Sequence, residues 1–278
     1  MQPSIMDELQ LQYRNLSQKE KEIADYIVQY KNTIHNINIR ELAEHTHSST
    51  STITRFCRKI NCESFVDFKI RLSREFEKPV DEDNCFSKVR NLYNDIVNST
   101  ADMIQQENIE TVVNLIKKAK RVQVYGLGSS GLSALEFKYR LMRMNITIDA
   151  MTDSHMMIMS ASLLQENDLV IGLSNSGRTE EVIQAMNVGK RNGATTVSIT
   201  NYNHTPLTDI SDISLFTPSM YRTGDQHFIN SQLAIIYVLD VISMLLLGDP
   251  KLQKNRENTL HALYDTAKFD KANKKSPE

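Results

Sequence analysis

The chain is short of cysteine, glycine, proline and long apolar runs, and each shortage removes a class of protein. Cys57, Cys62 and Cys85 are odd in number and match no metal-ligand spacing, so neither a disulfide scaffold nor a cysteine metal site is expected. They suit a reducing compartment and read as small buried hydrophobes. With 9 glycines, 6 prolines and 40% hydrophobic residues, the composition is that of a soluble folded protein, neither disordered nor membrane-embedded. The most apolar stretch, 233–247, is too short to span a bilayer and is interrupted by Asp240 and Ser243; it reads as a packed helix. Residues 1–10 carry Asp7 and Glu8 and lack a basic start followed by an apolar run, so no signal peptide is expected and the cytoplasm is the default compartment. What the chain does have is length. At 278 residues it exceeds the usual single domain, and two domains, each with a core, are expected.

Residues 169–173, Leu-Val-Ile-Gly-Leu, show no polar alternation and read as a strand buried on both faces. Ser174, Ser176, Gly177 and Thr179 follow, and an amphipathic pattern (Val182, Ile183, Met186, Val188) then predicts a helix starting near Thr179. Such a junction traps anions: unpaired N–H groups meet the positive end of a helix dipole, glycine lets the backbone approach, and three hydroxyls can donate to phosphate oxygens. One hydroxyl would suffice to cap the helix. Three, with a glycine, at the carboxyl end of a buried strand favour a binding loop, because ligands of open α/β sheets sit there. The pattern Ser174-x-Ser176-Gly177-x-Thr179-Glu180 resembles the phosphosugar-binding loop of sugar isomerase (SIS) domains. The resemblance implies that Ser174, Ser176 and Thr179 hold a sugar phosphate, with Glu180 beside them.

The N-terminal quarter is helical. Ser17-x-x-Glu20 is a capping box ahead of Ile23, Ala24, Ile27 and Val28, and Asn38-x-x-Glu41 repeats the device before Leu42 and Ala43. A polar break at 45–48 separates these from a third helix, starting at Ser49 or Thr50, whose apolar face is Ile53, Phe56, Cys57 and Ile60. Asn61 stands where a left-handed residue is wanted, and a fourth helix opens at Ser64. The opposite face of the third helix carries Ser51, Thr52, Thr54, Arg55, Arg58 and Lys59, all able to donate to phosphates or base edges. Basic residues dominate locally although the chain is slightly acidic, which points to nucleic acid.

These spacings, Leu16-Ser17-x-x-Glu20-x-x-Ile23-Ala24, then Ile39-x-Glu41-Leu42-Ala43, then Ser49-x-x-Thr52-Ile53-x-Arg55-Phe56-Cys57-Arg58-Lys59, resemble the N-terminal helix-turn-helix domain of RpiR-family transcriptional regulators. That family joins this domain to a SIS domain, and both motifs occur here in that order. Asn61 departs from the glycine usual at its position. The resemblance implies a DNA-binding regulator rather than an enzyme, double-stranded operator DNA as partner through Ser49, Ser51, Thr52, Thr54, Arg55, Arg58 and Lys59, a phosphorylated sugar as effector, and a homodimer or homotetramer paired through the SIS domain.

The fold class expected is α/β: an all-α helix-turn-helix domain at 1–78, a linker and connecting helix at 79–108, an α-β-α sandwich with a five-stranded parallel sheet at 109–265, and a loose tail at 266–278. The break is placed at 78–84, with Pro79 and three acids; a helical connector runs over 86–118. Strands are expected at 122–125, 146–150, 169–173, 196–199 and 213–216, alternating with helices, the last of which spans about 226–247. The first strand ends in Gly126-Leu127-Gly128-Ser129-Ser130-Gly131, and Asp149 lies near the end of the second. Read alone that is a dinucleotide fingerprint, so an NAD-responsive redox repressor is a rival. The second hydroxyl-rich loop argues against it, and Gly128, Ser129 and Ser130 are assigned to the sugar phosphate instead. His155, in a loop after the second strand, faces the pocket in this reading. His155 and Glu180 could serve a phosphosugar isomerase as acid and base, a third alternative. Met151, Met156, Met157 and Met159 would supply adaptable packing near the pocket or at a subunit contact. His45-x-His47 lacks a third ligand, so no metal and no cofactor are expected.

Overall fold

The computed structural model describes residues 4–30, 34, 37–76, 85–219 and 232–273. The first part is helical: α1 (Ile5–Gln12), a 3-10 turn (Tyr13–Asn15), α2 (Gln18–Gln29), α3 (Ile39–His45), α4 (Thr50–Lys59) and α5 (Phe65–Phe76). Capping boxes seal α2 through Ser17 and Glu20 and α3 through Asn38 and Glu41, pairing N–H groups that a helix cannot pair internally. Ser49 caps α4 by accepting the Thr52 N–H. The far ends of α3 and α4 close alike. His47 and Asn61 take left-handed conformations, φ 48° and 55°, and the next N–H groups, of Ser48 and Cys62, reach back to the carbonyls of Ala43 (2.7 Å) and Cys57 (2.9 Å). Ile23, Ile27, Leu42, Ile53, Phe56 and Phe68 meet in one fully buried core.

The second part holds a five-stranded parallel sheet in the order β2-β1-β3-β4-β5, with β1 (Val122–Tyr125), β2 (Ile148–Met151), β3 (Leu169–Leu173), β4 (Thr195–Thr200) and β5 (Ile213–Phe216). On one face α7 (Gln106–Lys118), α8 (Gly128–Met142) and α12 (Leu233–Leu247) pack over Leu169, Ile171 and Leu173. On the other, α9 (Ser154–Ala161), α10 (Glu180–Arg191) and α11 (Pro206–Ile210) pack over Val170. β3 is thus buried on both faces, as its unbroken apolar run requires. Gly172 has no room for a side chain: a β-carbon there would lie 2.1 Å from the Met186 sulfur on α10.

Several boundaries differ from the sequence reading. β2 begins at Ile148 because Asn145 (φ 62°) and the Ile146 N–H bond to the Leu141 carbonyl use the preceding residues to close α8. The connector is two helices, α6 (Cys85–Met103) and α7, and α6 packs on α12, which attaches it to the second body. α12 starts at Leu233; residues 226–231 lie outside the described residues. Where a loose tail was expected from 266, α13 (Pro250–Asn273) continues as helix. Pro79 and its acidic neighbours lie outside the described residues. Cys57 and Cys62 are buried, and burial pushes the Cys57 thiol up to about 12; Cys85, expected to be buried, is exposed at the start of α6. Among the described residues no single helix is long and apolar enough to cross a membrane.

Asn61 explains its departure from glycine. Its carboxamide donates to Glu8 Oε2 at 2.7 Å, tying α4 to α1, and its carbonyl accepts from Arg71 at 2.9 Å. Asn61→Gly should keep the left-handed backbone and lose only the Glu8 bond, whereas Asn61→Ala should lose the bond and add about 1–2 kcal/mol of backbone strain. Urea unfolding checks this; equal stabilities for the two variants would contradict it.

Candidate functional site

The strand order reverses between β1 and β3, which lie side by side with Tyr125 paired to Gly172. Chains leaving these neighbours feed helices on opposite faces, so a crevice opens at their carboxyl ends. Both expected loops border it. After β1, α8 begins at Gly128 in a left-handed conformation (φ 55°), Ser129 exposed and Ser130 buried. A β-carbon on Gly126 would lie 2.8 Å from the Ser130 backbone, so only glycine lets α8 approach so closely.

After β3, Ser174 Oγ accepts the Gly177 N–H at 3.1 Å and lies 2.8 Å from Thr179 Oγ1. Ser176 Oγ accepts the Arg178 N–H at 3.1 Å and lies 3.5 Å from Ser174 Oγ. Thr179 occupies the cap position of α10 yet makes no side-chain cap bond. Helix capping therefore does not account for the three hydroxyls: they form a cluster in which Ser174 and Thr179 share one proton and the remaining O–H groups are able to donate to an anion. Gly177 (φ 62°) is held against Thr205, where a β-carbon would come within 2.4 Å of Oγ1.

His155 and Glu180 do not join this cluster. His155 lies in α9 rather than a loop, because Asp153 caps that helix, and its side chain is 91% exposed with Asp153 at 3.9 Å. Glu180 is exposed and accepts from Gln184 at 3.0 Å. Of the methionines, Met157 is fully buried in the core, while Met156 and Met159 are exposed on α9. Asp149 departs from the dinucleotide pattern: it sits two residues before the end of β2 and pairs with Lys138 at 2.6 Å, which removes the acid that a ribose would need. His45 stacks on the Tyr26 ring at a centroid distance of 5.4 Å.

On α4, Ser51, Arg55, Arg58 and Lys59 are exposed, and Thr52 and Thr54 are half-buried. Ser49 Oγ lies 2.8 Å from Ser51 Oγ and 2.9 Å from Thr52 Oγ1, and Thr54 donates to the Thr50 carbonyl. Lys59 is bound to Glu20 at 2.7 Å, the carboxylate of the α2 capping box. Burial opposes ionisation of Glu20, but Lys59 and the Ser17 bonds outweigh it and hold the carboxyl below its usual value.

Sequence reasoning missed Gln10, Arg14 and Asn201. Gln10 donates to the carbonyls of Asn201 and Thr217 (2.8 Å to the latter) and accepts the Ser219 N–H, while Arg14 donates to the Ser176 carbonyl at 3.1 Å. No local spacing marks Gln10 and Arg14, whose partners in the second body lie 162 or more positions away.

Residues 4–79 match the helix-turn-helix domain of the rpiR family, and residues 115–245 match the SIS domain. An uncharacterised HTH-type transcriptional regulator of Caldanaerobacter subterraneus is 30% identical over 241 residues, covering 82% of this chain and 84% of the relative. One of Haemophilus influenzae is 29% identical over 279 residues, covering 94% and 97%. The structure of the Vibrio vulnificus NanR protein complexed with ManNAc-6P is similar over 95% of this chain and 99% of its own, with 26% identity and a TM-score of 0.61. The chain belongs to the RpiR family of helix-turn-helix transcriptional regulators, with a SIS domain as its second body.

Gly177→Ala should impose an unfavourable backbone conformation and a clash with Thr205, destabilising the second body by about 1–3 kcal/mol or displacing the loop. Thermal unfolding together with a crystal structure of the variant reads both; an unchanged loop at unchanged stability would contradict the close packing described.

Proposed function

We propose that this regulator holds operator DNA through α4 and changes that hold when a phosphorylated sugar occupies the crevice between β1 and β3. The cluster of Ser174, Ser176 and Thr179 at the topological switch point carries the reading, with Gly128, Ser129 and Ser130 on the facing loop. The first N–H groups of α10 have no partner within the helix and suit a dianion. The NanR relative binds a sugar phosphate, which supports the same ligand class here. Binding without turnover is the better reading, because His155 faces solvent and Glu180 bonds to Gln184, so these two do not converge on the cluster as acid and base. A regulator of DNA works where DNA is, in the cytoplasm.

Pairing of two chains through the SIS domain fits the same scheme, since a single helix-turn-helix contacts too little duplex for strong specificity. β2 is an edge strand, and the helices beside it leave Leu132, Tyr139 and Met142 on α8 and Met156, Met159 and Leu163 at α9 exposed. Those stripes are of the kind that association covers.

Calorimetry with a panel of sugar 6-phosphates tests the ligand. Ser176→Ala removes one hydroxyl facing an anion, a bond worth about 1.5–3 kcal/mol, so affinity should fall about tenfold or more while operator binding without ligand is kept. Equal affinity would refute the loop.

The DNA face is tested by the double variant Arg55→Ala, Arg58→Ala. If both residues contact phosphates, operator affinity should fall and its logarithmic dependence on salt should flatten by about two. Unchanged affinity and salt dependence would assign DNA reading to another surface.

A further inference from the structure

The first helix of the DNA-binding domain is seated at the carboxyl end of the sheet, next to the hydroxyl loop. Gln10 spans the ends of β4 and β5 through Asn201, Thr217 and Ser219. Asn201 in turn donates its N–H to the Asn175 carbonyl at 3.0 Å, inside the loop that carries Ser174 and Ser176. One turn beyond Gln10, Arg14 lies over the Tyr202 ring, 5.0 Å from its centroid, and donates through Nη2 to the Ser176 carbonyl. Its Nη1 is buried with no hydrogen-bond partner among the described residues. Burial, and then the nearby charge of Arg178, hold the Arg14 guanidinium below its ordinary pKa, with Tyr202 opposing. Two cations therefore meet at the loop that carries the hydroxyls, Arg178 from the loop itself and Arg14 from the other domain. The seat is also loosely filled: a cavity of about 150 Å³ lies among Met6, Leu9, Tyr13, Val28 and Tyr202.

We propose that Arg14 senses the occupant of the hydroxyl loop: a phosphate dianion held by Ser174, Ser176 and Thr179 engages the guanidinium and fastens the DNA-binding domain to the SIS domain. The inference rests on the phosphate reading above and adds the residue through which occupancy reaches the head. The anion supplies an acceptor for the unpaired N–H and neutralises the repulsion between Arg14 and Arg178, so ligand and seat strengthen each other. The connection runs through contiguous hydrogen bonds, Ser176 to Arg14 and Asn175 to Asn201 to Gln10, along the rim of one rigid sheet.

Hydrogen exchange on the full chain, titrated with inorganic phosphate and then with ManNAc-6P, tests this. In the unmodified protein both the loop amides at 176–179 and the α1 amides at 8–12 should slow, the latter about tenfold. In Arg14→Gln the loop should still respond, with affinity about tenfold weaker, and α1 should not; Arg14→Lys, which keeps the charge, should restore part of the α1 response. Protection of the loop with α1 unmoved, or an α1 response in Arg14→Gln equal to that of the unmodified chain, would overturn the proposal. No protection at the loop from either probe would overturn the phosphate reading itself.

Discussion

A parallel strand buried on both faces must end in polar backbone, and at the end of β3 this molecule places its cluster of hydroxyls. Within β3 the carbonyls and N–H groups are paired to β1 and β4, and the side chains are sealed by helices on either side. Beyond Leu173 the ladder stops, while α10 has to begin within a few residues because Gly172 draws that helix hard against the strand. The short gap leaves N–H groups outside any ladder, and the sequence fills it with hydroxyls, two of which accept the Gly177 and Arg178 N–H groups. The loop after β1 meets the same demand from the neighbouring strand. Strand order then brings the two gaps together, so the crevice follows from the topology and only its polarity is left to the side chains.

The head obeys a different constraint. Five short helices cannot bury much surface each, so their relative angles depend on how the connections turn. His47 and Asn61, both left-handed, close the helices before and within the reading unit, and the bonds of Asn61 to Glu8 and of Lys59 to Glu20 lash α4 to α1 and α2. Burial pushes the Glu8 carboxyl up, with the Asn61 bond and Arg71 opposing it. α4 is thereby fixed with Arg55 and Arg58 outward. Lys59, which spacing alone would group with them, is partly spoken for by the interior of its own domain.

The difference between local and distant information decides how much of this was legible in the chain. Capping boxes, the left-handed Asn61, the five strands and the loop at 174–179 are written in residues a few positions apart, and these were found close to where they lie. β2 was placed two residues early because the closing turn of α8 is as apolar as a strand. His155 was expected on a loop because nothing nearby marks Asp153 as a helix cap until the helix is seen. Asp149 matched a spacing but not a position along its strand. Gln10 and Arg14 could not be read at all, since what they touch is set by how two bodies meet.

Among the described residues, the hydrogen bonds by which Gln10 and Arg14 hold the second body are all made to main chain: the carbonyls of Ser176, Asn201 and Thr217 and the N–H of Ser219. Apart from the Tyr202 ring under Arg14, such a seat makes little demand on the side chains around it, provided the strands keep their ends in place. The loops of the SIS domain can therefore diverge without unfastening the head, and α4 can diverge without disturbing the loops. Such a joint lets inheritance recombine sensors with readers, and a chimera that kept only Gln10, Arg14 and the sheet edge would inherit the connection between them.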